Sequence, residues 1–246
     1  MKDFALVTGG GGAIGQAVCR LLGEHGYQVV AADRTAPDAP AWGTRVAFRS
    51  CDVTGGAEVE QLVQEVEAQF GPLTALVNVA GIVSKGSVLT LTEDEFERVM
   101  RVNVKGTLLA CQSVGRRMAQ RGAGSIVNIG SVVGKNGGNA RAWIDPSELD
   151  SAGNAAYGMS KAAVHTLTAF MAKELASRGV RVNAVAPGPI ATAMTTRFPE
   201  ALRRLIPLGR MGRAEDVAEA VAFLLSEKAG FISGEIIDVN GAMWCD

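Results

Sequence analysis

Seven short apolar segments alternate along the chain with longer amphipathic ones. The short segments are rich in Val, Ile and Leu without polar alternation, which is typical of strands buried on both faces. They lie at 4–8, 28–33, 45–52, 73–78, 125–129, 180–185 and 236–239. Helices are predicted at 13–24, 56–70, 93–121 (as two joined segments, capped by Thr92 and Glu95), 155–178 and 214–226. This order predicts an α/β fold, a doubly wound parallel sheet of about seven strands with helices on both faces.

Length and charge narrow the classes of protein to consider. The 246 residues suit one domain spanning 1–246, with 48% hydrophobic residues and no linker or repeat. The formal net charge of −1 gives no reason to expect nucleic acid or an anionic membrane as a partner. The first residues do not resemble a secretion signal, and no apolar run approaches the ~18 residues of a membrane span, so we expect a cytoplasmic protein.

The cysteines and histidines predict neither a disulfide framework nor a metal site. The four cysteines are Cys19, Cys51, Cys111 and Cys245. They form no C-x-x-C pair, so we interpret them as free thiols in a reducing compartment, the first three as packing residues. His25 and His165 are far apart in sequence and have no Cys or His neighbours, so we expect no metal.

A glycine-rich turn joins the first predicted strand to the first predicted helix. It reads Thr8-Gly-Gly-Gly-Gly-Ala-Ile-Gly15. Glycines let backbone amides approach a pyrophosphate, and the helix N-terminus adds unpaired N–H groups and a positive dipole end. This position between strand and helix indicates a dinucleotide site far more strongly than the glycine spacing alone. Its candidate binding residues are Gly9, Gly12, Ala13, Ile14 and Gly15.

The residue at the end of the second predicted strand indicates which dinucleotide binds. Asp33 follows Gly15 by 33 − 15 = 18 residues. A carboxylate there accepts hydrogen bonds from the ribose hydroxyls of NAD and repels the 2′-phosphate of NADP. Arg34 follows and can pair with a phosphate, so NADP stays open as the alternative to NAD.

Tyr157 and Lys161 form a candidate catalytic pair. They are four residues apart, so they share a face if 155–178 is helical. An ammonium close to a phenol favours the phenolate, and we therefore expect the pKa of Tyr157 to lie below its ordinary value of about 10. A tyrosine with such a pKa is a usable acid and base near neutral pH.

Seven elements, in order, resemble those of the short-chain dehydrogenase/reductase family over essentially the whole chain. They are Thr8-Gly…Ala-Ile-Gly15, Asp52-Val53, Asn78-Val-Ala-Gly81, Asn103 in Val-Asn-Val-Lys-Gly, Ser131 in Val-Asn-Ile-Gly-Ser, Tyr157 with Lys161, and Pro187-Gly-Pro-Ile-Ala-Thr192. The resemblance implies a single-domain Rossmann-type fold and an oxidoreductase that uses NAD or NADP. Ile-Gly-Ser-Val-Val-Gly and Ile-Pro-Leu-Gly-Arg-Met-Gly resemble 3-oxoacyl reductases in particular.

The resemblance also implies a role for each matching residue. Tyr157 would exchange a proton with the substrate oxygen, Ser131 would hydrogen-bond that oxygen, and Lys161 would lower the pKa of Tyr157 and hold the nicotinamide ribose. Asn103 would anchor a water on the proton path. Contacts to the adenosine end are implied for Asp52, Val53, Asn78, Val79, Ala80 and Gly81. Contacts to the nicotinamide end are implied for Pro187, Gly188, Ile190 and Thr192.

Three departures from the family pattern remove no catalytic group. Ala13 stands where the family has the second glycine of the loop, and Val79 stands where it has a second Asn. Pro37 and Pro40 leave little room for the helix that the family has between the second and third strands.

Two variable segments flank the candidate site. Ser131 and Tyr157 are 157 − 131 = 26 residues apart, about a dozen more than in the family, so 138–154 is an insertion. We expect it to wall the substrate pocket through Trp143 and Arg141, or else to be a surface excursion or subunit contact. After Thr192, the segment to 213 carries a predicted short helix at 200–206, and its apolar side chains suggest an apolar pocket. These are Met194, Phe198 and Leu205.

The function predicted from these observations is the NAD(H)-dependent interconversion of a secondary alcohol and a ketone. The alternative is an NADPH-dependent reductase of 3-oxoacyl thioesters, for which Arg203 and Arg204 could bind carrier phosphates unless they form a solvated face. A third interpretation is a dinucleotide-binding regulator that does not catalyse. The family often forms tetramers through the helices around 103–121 and 155–178, so we expect a homo-oligomer, a tetramer or a dimer.

Overall fold

A seven-stranded parallel sheet organises the described part of the chain. The computed structural model describes residues 3–138, 154–192 and 200–245. Within them the strands are β1 (Phe4–Thr8), β2 (Gln28–Asp33), β3 (Val46–Ser50), β4 (Ala75–Asn78), β5 (Gly124–Ile129), β6 (Val180–Pro187) and β7 (Ile236–Val239). Their order in the sheet is β3-β2-β1-β4-β5-β6-β7, and every pairing is parallel. The predicted α/β, doubly wound fold is confirmed.

Helices connect the strands. They are α1 (Ala13–Glu24), α2 (Gly56–Phe70), α3 (Glu93–Met100), α4 (Thr107–Arg121), α5 (Val133–Asn136), α6 (Ala155–Leu175), α7 (Glu200–Arg203) and α8 (Ala214–Leu225). A π-helix, Arg101–Gly106, joins α3 to α4, and a 3₁₀ turn, Ala176–Arg178, extends α6. None of the helices in the described ranges is both long and apolar enough to cross a lipid bilayer.

The sheet is buried on both faces, as the unbroken apolar strands predicted. Successive side chains of a strand point to opposite faces, so each strand contributes to two cores. In β1, Ala5 and Val7 pack in the core under α1 and α8, whereas Leu6 packs in the core under α2 and α4. The cysteine thiols are free, and burial raises the pKa of Cys19 and of Cys111 to about 12. Those two thiols therefore stay protonated and act as packing groups.

The structure corrects several predicted boundaries. The third strand begins at Val46 and the fourth at Ala75, because the residues predicted before them lie in connecting turns. The predicted joint within 93–121 is the π-helix, not a break. Thr92 caps α3 by accepting from the Glu95 N–H, but the Glu95 carboxylate bonds to the Lys85 N–H and to Arg98. Residues 34–45 form no helix, as Pro37 and Pro40 predicted.

The strand order reverses at β1, because β2 and β3 lie on one side of it and β4 to β7 lie on the other. In doubly wound sheets, the loops that leave the carboxyl ends of the strands diverge at such a point and open a crevice. The glycine turn follows β1 here, and Asn78 and Ser131 follow or end neighbouring strands on the same edge. The topology therefore brings the predicted site residues to one edge of the sheet.

Candidate active site

The glycine turn is packed against the loop after β4. Gly9 has a φ of +68°, and a Cβ there would lie 2.5 Å from the Ala80 backbone nitrogen. A Cβ on Gly15 would run into the Gly9 carbonyl oxygen and would lie 2.8 Å from the Gly10 Cα. The turn therefore requires glycine at both positions, because it folds back against helix α1 and against residues 79–80 at once.

The N-terminal end of helix α1 has the free N–H groups that a dinucleotide pyrophosphate would accept from. The N-cap residue Gly12 provides no side-chain cap, and the first turn contains no acidic residue. Its leading N–H groups and the positive end of the helix dipole are therefore directed at the loop mouth, where an anion is favoured. Ala13, which departs from the family pattern, is exposed, so its methyl group crowds no core residue.

Asp33 lies across the mouth of the glycine turn. Its Oδ2 accepts from the Gly11 N–H at 3.0 Å and its Oδ1 accepts from the Arg34 N–H at 2.8 Å. These two bonds hold the carboxylate beside the loop, at the position that the ribose of a dinucleotide takes in this fold.

A neighbouring cleft of about 380 Å³ contains Asp52, which the family resemblance assigns to the adenosine end. Its lining includes Arg34, Asp52, Thr54, Arg98 and Arg101. The pKa of Asp52 lies below its ordinary value because it accepts from the Thr54 backbone N–H, with a smaller contribution from the charge of Arg34. Val53 is buried under Gly106 of the π-helix.

Tyr157, Ser131 and Lys161 meet where α6 crosses the end of β5. The Ser131 hydroxyl lies close enough to the Tyr157 phenol to lower its pKa. The Lys161 ammonium donates to the Ile129 carbonyl oxygen at 2.7 Å and lies 5.7 Å from the centre of the Tyr157 ring. A Cβ on Gly81 would lie 3.4 Å from Lys161 Nζ, so the loop after β4 approaches the same amine. The structure thus places the three predicted catalytic side chains together.

The direction of the Tyr157 pKa differs from the prediction. Although the residue keeps some contact with solvent, dense packing around the phenol raises its pKa above 10, and the hydrogen bond from Ser131 opposes this only in part. Burial also lowers the pKa of Lys161 to about 8, which weakens the positive charge that was expected to favour the phenolate. In the protein alone, desolvation of the phenol therefore outweighs the effect of Ser131 on its pKa.

Asn103 lies in the π-helix, and its side chain cross-links two other parts of the site. Its Oδ1 accepts from the Ile82 N–H at 2.8 Å, and its Nδ2 donates to the Ile82 carbonyl at 2.9 Å and to Ser160 Oγ at 2.9 Å. Ser160 Oγ in turn donates to the Tyr157 carbonyl oxygen at 2.7 Å. A local π-helix at a functional site is a common device for presenting such a residue. The implied water-anchoring role stays a prediction.

Four residues that the sequence analysis did not assign to the site hold it in place. Gln16 bridges the glycine turn to 34–45, because its Nε2 donates to the Gly11 carbonyl and its Oε1 accepts from the Ala41 N–H. Ser84 Oγ accepts from the Tyr157 N–H at 3.2 Å at the start of α6. The others are Ser160, described above, and His165, whose Nε2 accepts from the Ser131 N–H at 3.4 Å. For His165 a signal was present, since it follows Lys161 by the spacing that separates Lys161 from Tyr157.

The segment predicted to hold the nicotinamide end runs from the last residue of β6. The Gly188 N–H donates to the Val239 carbonyl, and a Cβ on Gly188 would lie 2.7 Å from the Asn240 Cβ. Ile190 is buried and pairs with Gly212 in an isolated β-bridge. This segment therefore borders the same crevice, opposite the glycine turn, while Pro187 ends β6 and Thr192 closes the described stretch.

Apart from Ser131, the predicted substrate contacts lie outside the described residues. Arg141, Trp143 and Met194 lie outside them, as do Phe198 and most of the predicted insertion, 138–154. Arg203 and Arg204 are described; both pair with Glu200, at 3.8 and 3.5 Å, on the exposed helix α7. This favours a solvated face over a carrier-phosphate site. No group of three or more side chains suited to a metal ion occurs in the described parts of the chain.

Comparison with known proteins gives matches over nearly the full chain. A family model described as enoyl-(acyl carrier protein) reductase matches residues 11–243. A (3R)-3-hydroxyacyl-CoA dehydrogenase of Mus musculus is 37% identical over 262 residues, covering 98% of this chain and 96% of that protein. A 3-oxoacyl-[acyl-carrier-protein] reductase of Staphylococcus epidermidis is 37% identical over 256 residues, covering 99% and 100%. The crystal structure of gox2181 superposes with a TM-score of 0.87 at 32% identity, covering 98% of this chain and 95% of that one.

Proposed function

This chain belongs to the short-chain dehydrogenase/reductase family, and on that premise we propose that it interconverts a secondary alcohol and a ketone with NAD(H), with Tyr157 as acid and base. It is an oxidoreductase that acts on CH–OH and ketone groups and uses a nicotinamide dinucleotide. The observation that carries the proposed site is the buried amine of Lys161, which lies 5.7 Å from the centre of the Tyr157 ring, with Ser131 close enough to act on the pKa of the same phenol.

The side chains divide the chemistry between them. The bound dinucleotide supplies or accepts the hydride. Tyr157 donates a proton to the ketone oxygen during reduction and removes it from the alcohol during oxidation. Ser131 donates a hydrogen bond to the same oxygen, and its contact with Tyr157 holds the two hydroxyls on one side of the substrate. Lys161 lies beside the phenol and near the backbone at Gly81. Its second proposed role is to hold the nicotinamide ribose.

The preference for NAD over NADP rests on Asp33. Two backbone amides fix its carboxylate at the loop mouth, so a 2′-phosphate would meet a negative charge that cannot move away easily. The neighbouring cation, Arg34, lies in the cleft with Asp52 and acts electrostatically on that carboxylate.

A second candidate is an NADPH-dependent reductase of 3-oxoacyl thioesters. It is favoured by the acyl-thioester activities in the names of the two curated relatives, which match nearly the whole chain. A third, a non-catalytic dinucleotide-binding regulator, is disfavoured by the presence of all three catalytic side chains.

Initial rates at 340 nm with NADH and with NADPH test the proposal. The substrates are an acetoacetyl thioester and a panel of linear and cyclic ketones. We expect faster turnover with NADH, and we expect Y157F to lower kcat by about 10²-fold or more while still binding NADH. D33N, which removes the charge and keeps one acceptor oxygen, should raise the relative rate with NADPH.

Three outcomes would contradict parts of this proposal. A thioester reduced best with NADPH by the wild-type protein would replace it with the second candidate. Binding of NADH without turnover on the whole panel would support the regulator. Turnover undiminished in Y157F would remove Tyr157 from the chemistry.

Assembly, location and the insertion are further parts of the proposal. We propose one domain, 1–246, in a cytoplasmic homo-oligomer, a tetramer or a dimer. Phe170 on α6 is 63% exposed and Phe231, near β7, is fully exposed, which favours apolar contacts between copies. The unpaired cysteines fit a reducing compartment.

For the 138–154 insertion we propose a wall of the substrate pocket. Deletion of 141–149 should change the KM on the same panel of substrates, and an unchanged KM would contradict this.

A further inference from the structure

His165 is a buried titratable side chain that the proposed chemistry does not use. It lies on α6, four residues after Lys161 and eight after Tyr157, so the three share one face of the helix. It is only 7% exposed. A histidine on this face lies behind two catalytic groups and contacts the backbone around Ser131.

His165 makes a contact with the backbone of Ser131. On either side, the Gly130 and Val132 N–H groups donate to carbonyl oxygens of β6, those of Val185 and Pro187, at 2.8 and 3.0 Å. Because successive amides of an extended strand point in opposite directions, the Ser131 N–H faces away from β6. Its acceptor is His165 Nε2, at 3.4 Å. Strand β6 and helix α6 thus accept the N–H groups of three consecutive residues, 130–132, from two sides.

The chain around Ser131 leaves room for this imidazole ring. A Cβ on Gly130 would run into His165 Nε2 and would also approach Cδ2 at 2.6 Å. A Cβ on Gly134 would lie 3.0 Å from His165 Cε1 and 2.8 Å from the Ala162 backbone nitrogen. Neither glycine has a positive φ. Their role is therefore steric: each lacks a side chain where the ring or its helix lies.

We propose that His165 is a positioning residue, whose neutral imidazole accepts at Nε2 from the Ser131 N–H and so holds the Ser131 hydroxyl in line with Tyr157. The inference rests on the proposed function, because it assigns Ser131 a role in the reaction. It requires the proton of the neutral ring to be on Nδ1. Since α6 carries His165, Lys161 and Tyr157, the bond couples the position of Ser131 to the helix that bears its two partners.

Two variants separate the acceptor from the bulk of the ring. In H165Q the Oε1 atom can take the place of Nε2, whereas H165L fills the space and leaves the buried Ser131 N–H without an acceptor. We expect H165L to lower kcat about tenfold or more, with less than a twofold change in the Kd for NADH, and H165Q to recover most of the loss. Equal losses in both variants would overturn the assignment.

A double-mutant cycle with S131A tests whether His165 acts through Ser131. If it does, H165L should have less than about a twofold further effect on kcat once the Ser131 hydroxyl is gone. The matched control is T168V, one turn further along α6, which removes a buried hydrogen bond to Asn128 without contacting Ser131. Its effect on kcat should be the same with and without S131A. If H165L lowers kcat by the same factor with and without S131A, as expected for T168V, His165 has a general packing role and the proposal is overturned.

A readout on the wild-type protein needs neither turnover nor a folded variant. The ¹⁵N chemical shifts of His165 at pH 7 should show an unprotonated Nε2 and a protonated Nδ1. A protonated Nε2 cannot accept from the Ser131 N–H and would overturn the inference whatever the activity. The ¹⁵N shifts could agree with the inference while Y157F turns over as fast as the wild type. In that case the proposed function fails and the positioning role fails with it, although the hydrogen bond between His165 and Ser131 stands.

Discussion

At the scale of single residues, the choice of side chain is most restricted where two backbone segments of the site are in contact. Gly15 belongs to α1, yet a side chain there would meet the backbone of Gly9 and Gly10, which cannot move without opening the turn. Gly12 differs, because a Cβ there would have only the Gly9 carbonyl oxygen as a neighbour, at 3.5 Å, and its φ of −74° suits any residue. The two glycines therefore serve different needs, one internal packing and the other the approach of a ligand.

This difference predicts opposite behaviour for two matched variants. G15A should be destabilised by about 1–3 kcal/mol, the range for overpacking, so its Tm should fall by roughly 2–12 °C. G12A should keep the wild-type Tm but bind NADH several-fold more weakly, because its methyl group lies at the helix N-terminus where the pyrophosphate approaches. Calorimetry and a fluorescence titration with NADH measure the two effects. Wild-type stability in G15A would contradict the packing argument.

At the scale of elements, charged side chains tie α2 to α4 beside the sheet. Arg117 donates to Glu60 Oε1 at 2.6 Å, and Ser113 Oγ donates to Glu60 Oε2 at 2.7 Å. Arg121 pairs with Glu67 at 3.0 Å. The bonds from Arg117 and then Ser113 lower the pKa of Glu60 to about 2. Because the Glu60 side chain is 40% exposed, solvent screening limits the contribution to less than about 1 kcal/mol.

The lowered pKa makes this contribution depend on pH. Unfolded Glu60 titrates near its ordinary 4.5, so the stabilisation is complete above that pH and is lost as the pH falls towards about 2. E60Q should therefore unfold at lower urea concentration than wild type at pH 6, and the difference should shrink between pH 4.5 and 3. E65Q, the same change of charge on the same helix where Glu65 bonds to Gln61, is the control. A difference that stays constant with pH would contradict the ionic origin.

At the scale of the whole molecule, the order of the strands decides where the site lies, and exposed apolar side chains favour contacts between copies of the chain. Asn78 and Ser131 meet at one edge because β4 and β5 are neighbours, although they are 53 residues apart in the sequence (131 − 78). On the outside, Phe170 and Phe231 remain exposed. Burying such rings between copies is favourable at about 25 cal/mol per Å².

The proposed assembly predicts a mass above that of the 25.6 kDa chain. Light scattering coupled to size exclusion should give two or four times that mass. F170D should lower it, because a charge would be buried in the contact. L89D is the matched control, since Leu89 lies on the loop before α3, away from the helices around 103–121 and 155–178 through which the family forms its contacts. A monomeric wild type would contradict the proposal.

Much of this protein was predictable from local patterns. Unbroken apolar runs determined the strands, because a strand covered by helices on both sides has no polar face to display. The glycines between β1 and α1 determined a dinucleotide turn, and the four-residue spacing determined that Tyr157 and Lys161 share a face. These features depend on residues close together in the chain, which is why the sequence alone was sufficient.

Tertiary structure decided what depends on residues far apart. The expected fall in the Tyr157 pKa gave way to a rise, because packing by distant segments desolvates the phenol and the Lys161 amine together. Asn103 proved to be a cross-link to Ile82 and Ser160, and His165, set aside by the sequence as a lone histidine, proved to bind the backbone of Ser131. Burial and hydrogen-bond partners are properties of the folded assembly of elements, and no local pattern contains them.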